Sequence, residues 1–491
     1  MDANRIAKRI LSYLLIFAIM ILIFFSFTIL CTLIPKEKIK ENMKESADYM
    51  YEQGTAHFIL VFIHASFLDY YADSITLSIA YNFDEEHPVE SSMWASYYGT
   101  SSNLMPEYLK ESVENDPEPN TEYMRYWHGS ASLMRLSHLI LNVKQVFVLH
   151  AVFMSLAIVV LMCTLWRHNL KGEATCFLLS MIVVSIWYVP LCLEYFYAVF
   201  IMIVASIAGV KIQMPSGSAN REACWNNKDS ILGAFFLITG MFTAYFDFLT
   251  AETLTLLIPL LFILRIRSRQ STQSIKYGQR IENGQYAENG QKIENSQKIH
   301  SRQKSKKEVL FTIKSCLLWS IGYVGAWVMK WILAALILHQ DMLPFITEHI
   351  AERLDGDIVE GLRPDNYILA AIARNLKCLF PYEYGISGAI LVFAFIIVVV
   401  ILPVAMNRIR MKKEINRTAI LLYVIIGIIP FIRFTVLHNH AYRHYIFTHR
   451  ALAATVLAIS FIVLEVVEVV GRNRKAVTVN AGSDHSDAMS E

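Results

Sequence analysis

Residues Ile10–Ile34 form an uninterrupted stretch of twenty-five residues without a charged side chain. A helix needs about 20 apolar residues to cross the hydrocarbon core of a bilayer, and lipid offers no hydrogen bonds to an exposed backbone. Arg5, Lys8 and Arg9 precede the stretch as in a signal peptide, but it is too long for a signal sequence and no small-residue cleavage site follows. We interpret it as an uncleaved first membrane span.

The composition extends this interpretation to the whole chain. Of the 491 residues, 55% are hydrophobic and 18% are charged, and the mean hydropathy is +0.40, which is too apolar for a water-soluble surface. A net charge of +2 argues against a uniformly basic nucleic-acid-binding protein. The seven cysteines include no C-x-x-C pair, so neither a disulfide framework nor a zinc site is indicated. The sequence predicts an integral membrane protein.

Ten transmembrane helices are predicted, which makes the fold class all-α. Two long apolar regions indicate helical hairpins, namely Ala174–Val210 with a turn at Pro190 and Glu194, and Ile231–Leu264 with a turn at Asp247. The other predicted spans are single helices: Ile10–Ile34, Gln145–Trp166, Val309–Leu338, Gly385–Met406, Ala419–Leu437 and Ala451–Val470.

Basic residues set the predicted orientation. With a cytoplasmic N-terminus, the inner segments hold 27 Lys and Arg residues and the outer segments 14, as the positive-inside rule requires of a multi-pass cell-membrane protein. The predicted parts are a cytoplasmic N-terminus (1–9), an N-terminal transmembrane half (10–264) with an outer loop (35–144), a cytoplasmic loop (265–308), a C-terminal transmembrane half (309–470) and a disordered cytoplasmic tail (471–491).

The two large loops differ in character. Segment 265–308 contains a hexapeptide repeat with one weakly apolar residue in six, which favours a disordered linker over the alternative, a short β-helix of the same period. The outer loop 35–144 holds seventeen carboxylates against eight basic residues. Within it, Lys36–Tyr51 indicates an amphipathic helix on the membrane surface, and Ala56–Phe67 an apolar stretch that lies in the interface or re-enters the membrane.

Asp69 and Asp73 are the leading catalytic candidates. They stand four residues apart and would share one face of a helix at the outer membrane boundary. Two neighbouring carboxylates beside apolar residues raise each other's pKa, which suits a general base or a metal ligand. The alternative is a helix-capping acid followed by a solvated acid.

Other polar residues at the predicted outer boundary are candidates for substrate binding. Arg135 could face lipid headgroups or bind a phosphate, and Lys330 could snorkel to the interface. His440, Arg443 and Arg450 belong to a His-rich end segment that suits a metal, an anionic headgroup or interfacial anchoring. The substrate-binding candidates are His128, Arg135, Asp247, Lys330, His440, Arg443 and Arg450. All of them fall on the outer side of the predicted topology, which favours an outward-facing active site.

Four motifs resemble those of the glycosyltransferase-C (GT-C) superfamily, in particular multi-span bacterial proteins of the protein O-mannosyltransferase and aminoarabinose transferase type. They are Leu68–Asp73, Arg125–Gly129, Ala244–Leu249 and the pair Asn439–His444 and Phe447–Arg450. The resemblance covers most of the chain from Ile10 to Val470, apart from the repeat. It implies a GT-C-like fold with a large first outer loop that carries acidic catalytic residues.

The resemblance also implies a reaction. The donor would be a sugar on a polyprenyl phosphate, and the acceptor a glycan, lipid or protein outside the cytoplasmic membrane. Asp69 would match the acidic residue that the family places just outside the first span, with Asp73 as its partner. Arg135, Lys330 and Arg450 could form the phosphate site. No D-x-D pair lies near Asp69, so the need for a divalent metal ion stays open and no metal ligands are assigned. Membrane lipids are expected contacts and nucleic acid is not.

Two other functions compete with this one. A transporter or flippase of a lipid-linked glycan or anion would place charged residues near the bilayer midplane and show inverted repeats, and neither is evident in the sequence. A scaffold or sensor would use the acidic outer loop as a surface for a partner.

The orientation can be tested at the repeat loop. Because basic residues cluster in 265–308, we expect Gln285→Cys, in a background without the native cysteines, to react with a membrane-impermeant maleimide only after permeabilisation. Glu118→Cys, in the predicted outer loop, is the matched control and should react in intact cells. Labelling of Gln285→Cys in intact cells would contradict the ten-span arrangement.

Overall fold

The chain is almost entirely helical in the part that the structure describes. The computed structural model describes residues 3–60, 63–99, 104–214, 221–282, 290–355, 366–388, 390, 394, 406, 409–412 and 415–469. Seven helices in this part are long and apolar enough to cross a membrane: Ile6–Thr32, Val143–Arg167, Leu193–Gln213, Lys228–Phe246, Gln303–Leu338, Arg417–Val436 and Tyr445–Val466. This confirms an all-α protein of the multi-pass membrane type.

The helices, in chain order, are α1 (Ala3–Thr32), α2 (Lys36–Gln53), α3 (Tyr70–Asn82), α4 (Pro88–Trp94), α5 (Met105–Asn115), α6 (Gly129–Ser137), α7 (Val143–Arg167), α8 (Lys171–Val183), α9 (Leu193–Gln213), α10 (Arg221–Phe246), α11 (Leu254–Glu282), α12 (Gly290–Leu338), α13 (Leu343–Asp355), α14 (Tyr367–Lys377), α15 (Arg417–Val436), α16 (His438–Arg443), α17 (Tyr445–Thr448) and α18 (Ala453–Val466). The strands are β1 (Ala56–Phe58), β2 (Phe67–Asp69), β3 (Ile409–Met411) and β4 (Val467–Val469).

Seven of the ten predicted spans therefore correspond to one of these helices. The total of ten spans stays a prediction. Helix α8 has 13 residues, which at 1.5 Å per residue is about 20 Å, short of the bilayer core. Helix α11 begins apolar at Leu254 but continues as a polar helix to Glu282. Most of the predicted span Gly385–Met406 lies outside the described residues.

Both predicted hairpin turns are present. Helix α8 ends at Val183, a 3-10 turn spans Ile186–Leu191 and contains Pro190, and α9 begins at Leu193. Proline has no backbone N–H to donate and restricts the residue before it, so it favours a break here. Helix α10 ends at Phe246 and α11 begins at Leu254, which confirms the turn predicted at Asp247.

The segment between α1 and α7 folds against the bundle. Helix α2 confirms the predicted amphipathic helix, since it buries Ile39, Met43, Ala47 and Met50 on one face. The stretch predicted to lie in the interface or re-enter contains an antiparallel hairpin, in which β1 and β2 pair Ala56 with Asp69. Strand pairing satisfies the backbone of a run too short to cross a membrane.

Segment 265–308 is helical at both ends, where disorder was predicted. Helix α11 extends to Glu282 and α12 begins at Gly290. The repeat is rich in Gln, Lys and Glu, which have good intrinsic helix propensity, and low hydrophobicity does not exclude a polar helix. Disorder of 283–289 and of the tail 471–491 stays a prediction, because both lie outside the described residues.

Close helix packing in the bundle depends on two reciprocal glycines. A Cβ on Gly240 would overlap the carbonyl oxygen of Trp319, and one on Gly322 would overlap that of Leu237. Helices α10 and α12 therefore approach each other backbone to backbone at this point, as small residues allow in membranes.

A buried ion-pair network joins three helices at one end of the bundle. Arg265 of α11 is 5% exposed, donates from Nε to Glu173 of α8 at 2.9 Å, and bonds Glu465 of α18 through Nη1. Ser268 also donates to Glu465, at 3.2 Å. We call this the Arg265 end, and the end that holds Asp69 the Asp69 end.

Removal of this network should destabilise the bundle. Arg265→Ala leaves Glu465 buried without its arginine and leaves Glu173 with Arg269 alone, so we expect a loss of about 3–5 kcal/mol in the free energy of unfolding. Unfolding in mixed micelles, or the yield of monodisperse protein, measures this. Arg410→Ala is the control, because Arg410 pairs with Glu468 in solvent and should cost less than about 1 kcal/mol. Equal losses in the two variants would contradict the assigned role.

Candidate functional site

Asp69 lies at the junction of β2 and α3. It is the N-cap of α3, and its Oδ1 accepts a hydrogen bond from the Ala72 amide at 3.2 Å. The prediction that Asp69 and Asp73 share a helix face is therefore wrong for Asp69, which precedes the helix and caps it. Burial raises the pKa of Asp69 to about 6, against the opposing effect of the Ala72 and Tyr71 amides. Its side chain remains 9% exposed.

Asp73 is fully buried and anchors α9. Its Oδ2 accepts from the Leu193 amide at 2.9 Å, and its Oδ1 accepts from the Glu194 amide at 3.0 Å and from the Cys192 thiol at 3.3 Å. A carboxylate on the free amides of a helix N-terminus is well placed electrostatically. Burial nevertheless raises the pKa of Asp73 to about 7. Because both oxygens are occupied, we assign Asp73 to positioning α9 and keep Asp69 alone as the candidate base.

Arg450 is a buried cation that forms no ion pair with any carboxylate in the part of the chain that the structure describes. It is 1% exposed, and its guanidinium carbon lies 4.3 Å from the centroid of the Tyr195 ring. Its Nη1 donates to the Ile446 carbonyl at 3.2 Å, while Nε and Nη2 have no hydrogen-bond partner among the described residues. Since an unpaired buried charge is costly, this guanidinium is a candidate anion-binding group.

Tyr195 connects Arg450 to the strand that carries Asp69. Its hydroxyl donates to the Phe67 carbonyl at 3.2 Å, two residues before Asp69. The Cys192 sulfur also lies 4.0 Å from the Asp69 carbonyl oxygen. We call Asp69, Asp73, Cys192, Tyr195 and Arg450 the Asp69–Arg450 cluster. Sequence reasoning missed Cys192 and Tyr195, and the only local signal was the break in the apolar run at Pro190 and Glu194.

Arg135 holds backbone carbonyls and does not face an open phosphate site. Its Nη1 donates to Ala80 and Tyr81 of the last turn of α3, at 2.9 and 2.8 Å, and its Nε donates to Ile34 at 3.0 Å. Nη2 also bonds Ile34 and approaches Glu85 at 3.4 Å. A cation is favourable at carbonyls that helix ends leave open. Arg135 therefore has a structural role in the described contacts, and phosphate binding by Arg135 stays a prediction.

Lys330 and His128 are likewise bound by carbonyls. Lys330 is fully buried and donates to the Ser92 and Met93 carbonyls at 3.2 and 3.0 Å, so it does not snorkel, and phosphate binding by Lys330 stays a prediction. His128 lies within hydrogen-bonding distance of the Tyr123 carbonyl, 2.6 Å from Nε2. Burial lowers the pKa of His128 to about 3, so its ring is neutral near pH 7 and does not supply a positive charge.

Asp247 belongs to a separate buried polar group. Its carboxylate accepts from the amide and hydroxyl of Thr250 in the turn between α10 and α11. Nearby, Arg433 forms a two-bond ion pair with Glu252, at 2.6 and 2.9 Å. Burial and the Glu252 charge raise the pKa of Asp247 to about 7. These contacts place Asp247 in a turn that Glu252 and Arg433 hold together.

The His-rich end segment is packed by α14. Asn375 donates to the Ala441 carbonyl at 2.9 Å, and the His440 and His444 ring centroids are 4.8 Å apart. Arg443 is exposed. Among the described residues, no three His, Cys, Asp or Glu side chains converge in a way that could hold a metal ion.

An apolar groove of about 530 Å³ lies between α7, α9 and α10, with α6 at one end. Phe196 and Tyr197 line it, and both follow within one helical turn of the amides that Asp73 binds. His150 also lines the groove and stacks on Phe196 with the ring centroids 3.7 Å apart. The groove and the Asp69–Arg450 cluster therefore share the first turn of α9.

Asp73→Asn should change how stability depends on pH. Because the folded-state pKa is raised from 3.8 to about 7, the folded protein holds this proton more tightly than the unfolded chain does. The stability contributed by the carboxyl is complete below about pH 4 and is lost as the pH rises through about 7. Asparagine does not ionise, so the variant does not lose this stability as the pH rises. The free energy of unfolding of the variant minus that of the parent protein should therefore increase between about pH 5 and 8.

Thermal unfolding in detergent across this range measures the effect. Glu118→Gln removes an exposed carboxylate of the same segment and should follow the parent curve. A difference in unfolding temperature between Asp73→Asn and the parent protein that stays constant across this pH range would contradict the raised pKa of Asp73.

The comparisons with known proteins found no match. No protein-family model matches the chain, and neither a curated protein nor a solved structure matches it. The resemblance to GT-C enzymes therefore rests on the four short motifs, and the cluster is interpreted from its own chemistry.

Proposed function

We propose that the chain is a membrane glycosyltransferase that moves a sugar from a polyprenyl-phosphate donor to an acceptor on the outer face of the cytoplasmic membrane. The observation that carries the proposal is Arg450, a buried guanidinium with two nitrogens free among the described residues. It stacks on Tyr195, whose hydroxyl bonds the strand that ends at Asp69.

The free nitrogens of Arg450 suit a phosphate. A guanidinium presents its donors in a planar fork that matches two oxygens of a phosphate or carboxylate. In a low-dielectric site such a pair is stronger than in water. An anionic ligand would therefore remove the cost of burying this charge, and the Tyr195 ring supports the cation from its face.

Asp69 suits the role of general base. A carboxylate with a pKa of about 6 is ionised near pH 7 and accepts a proton more readily than an ordinary aspartate does. Asp69 is 9% exposed and its Oδ1 accepts one backbone hydrogen bond, whereas Asp73 is fully buried with both oxygens occupied.

These two groups support a single displacement with inversion. The acceptor oxygen forms a bond to the anomeric carbon while Asp69 takes the hydroxyl proton. The bond between that carbon and the phosphate oxygen breaks, and its electron pair leaves on the phosphate. Arg450 stabilises the charge that develops there. The apolar groove beside α9 supports a donor with a hydrocarbon chain, because such a chain binds in apolar clefts.

The transporter alternative has one observation in its favour. The Arg433–Glu252 pair is buried next to apolar helices, and ionisable groups inside membranes often mark transport paths. A flippase would change the leaflet of a lipid-linked glycan without breaking its phosphate bond. Chemical analysis of the glycan after reaction therefore separates the two functions.

Asp69→Asn should abolish most of the transfer. The variant keeps the shape of the side chain but removes its basicity, so we expect a fall of roughly 10²–10⁴-fold. The lipid intermediate that accumulates when the protein is deleted should accumulate equally with this variant, as mass spectrometry of envelope lipids would show. Glu118→Gln is the matched control. In the purified parent protein, activity should fall as the pH drops below about 6, where Asp69 becomes protonated.

Arg450→Ala should weaken donor use by a comparable factor through loss of the phosphate contact. Arg450→Lys keeps the charge without the planar fork and should recover part of the activity. Near-full activity of either Asp69→Asn or Arg450→Ala, in protein that folds normally, would show that the cluster is not the catalytic site.

A further inference from the structure

The hairpin of β1 and β2 exposes a continuous apolar surface beside the Asp69–Arg450 cluster. Phe58, Ile59 and Leu60 are consecutive in the chain and are 40%, 40% and 42% exposed. No Asp, Glu, Lys or Arg occurs from Thr55 to Leu68. The sequence predicts that this stretch lies in the interface or re-enters the membrane, and the proposed reaction does not use it.

The exposure pattern is unfavourable in water. Phe58 is the last residue of β1, and Ile59 and Leu60 follow it in the loop. A loop at a water-exposed surface is normally polar, whereas these three consecutive side chains are apolar and exposed. Contiguous exposed apolar residues of this kind mark a surface that contacts a partner or a membrane.

The loop end of the hairpin lies where membrane helices begin. The Tyr445 hydroxyl lies 3.2 Å from Nδ1 of His64, which belongs to the loop between β1 and β2, and Tyr445 is the first residue of the apolar stretch Tyr445–Val466. At the start of β2, the Phe67 carbonyl accepts from Tyr195, close to the start of the stretch Leu193–Gln213. Two candidate membrane spans thus start at the level of the loop end, where the exposed residues lie.

We propose that Phe58, Ile59 and Leu60 insert into the lipid leaflet at the Asp69 end, with the bilayer itself as the partner of this surface. Continuity with two membrane helices favours lipid over a second copy of the chain or another protein. Because β2 ends at Asp69, insertion fixes that residue at the headgroup level. If the proposed function holds, an amphiphilic donor then reaches Asp69 laterally from the bilayer.

Nitroxide accessibility tests the insertion independently of any activity. A spin label at Ile59→Cys or Leu60→Cys, in a background without the native cysteines and in phosphatidylcholine nanodiscs, should be relaxed more by oxygen than by a neutral nickel chelate. Val152, on α7 and 55% exposed, supplies the lipid-facing control as Val152→Cys. Glu118→Cys supplies the water-facing control, with the opposite preference.

Two results would overturn the proposal. One is a preference for the nickel chelate at both hairpin positions that matches Glu118→Cys, which would place the hairpin in water. The other is exclusion of both reagents together with dipolar broadening between labels, which would show contact between two copies of the chain.

The functional consequence has its own readout. The double variant Ile59→Gln/Leu60→Gln should raise the KM for a lipid-linked donor roughly tenfold, with kcat little changed, because it weakens apolar burial without touching the cluster. An unchanged KM would contradict lateral entry of the donor at the hairpin. Insertion of the hairpin would then be decided by the nitroxide measurements alone. If Asp69→Asn retains activity while the labels report lipid, the proposed function fails and the insertion stands.

Discussion

The carboxylate of Asp73 is the contact on which the Asp69 end of the structure depends. It binds the Leu193 and Glu194 amides and the Cys192 thiol, and so joins a helix outside the membrane spans to the first turn of one within them. Three donors on one buried carboxylate partly offset the loss of its hydration. Because Tyr195 follows directly in α9, the same anchor decides where the aromatic support of Arg450 lies.

The buried cations of the described residues divide into two kinds. Arg135 and Lys330 donate to backbone carbonyls near the ends of short helices, and Arg433 pairs with Glu252. These contacts stabilise the fold, and of the three cations only Arg433 keeps a nitrogen, Nη1, without a hydrogen-bond partner among the described residues. Arg450 differs, because within the same residues two of its nitrogens have no hydrogen-bond partner and it rests on an aromatic ring. This contrast, and not the number of charges near the membrane, selects the candidate site.

Membrane physics made much of the fold predictable from sequence. Hydrocarbon cannot satisfy free backbone groups, so long apolar runs such as Ile10–Ile34 must become helices, and Pro190 and Asp247 fall in turns as expected. The hairpin at Ala56–Asp69 and the helical ends of the repeat segment were less predictable. Short strands depend on the partner that they pair with, and polar helices depend on weak propensities that neighbouring structure can reinforce.

The sequence by itself determined which apolar runs are helical, and it placed Asp69 and Arg450 among nine charged or histidine candidates that it predicted near the membrane boundary. Only the tertiary structure decided which of those charges are already bound. The carbonyls that hold Arg135 come from residues 55 and 101 positions away, and one that holds Lys330 from 238 positions away. Local spacing carries no information about such partners. A buried charge becomes a site or a structural contact according to the groups that folding brings to it.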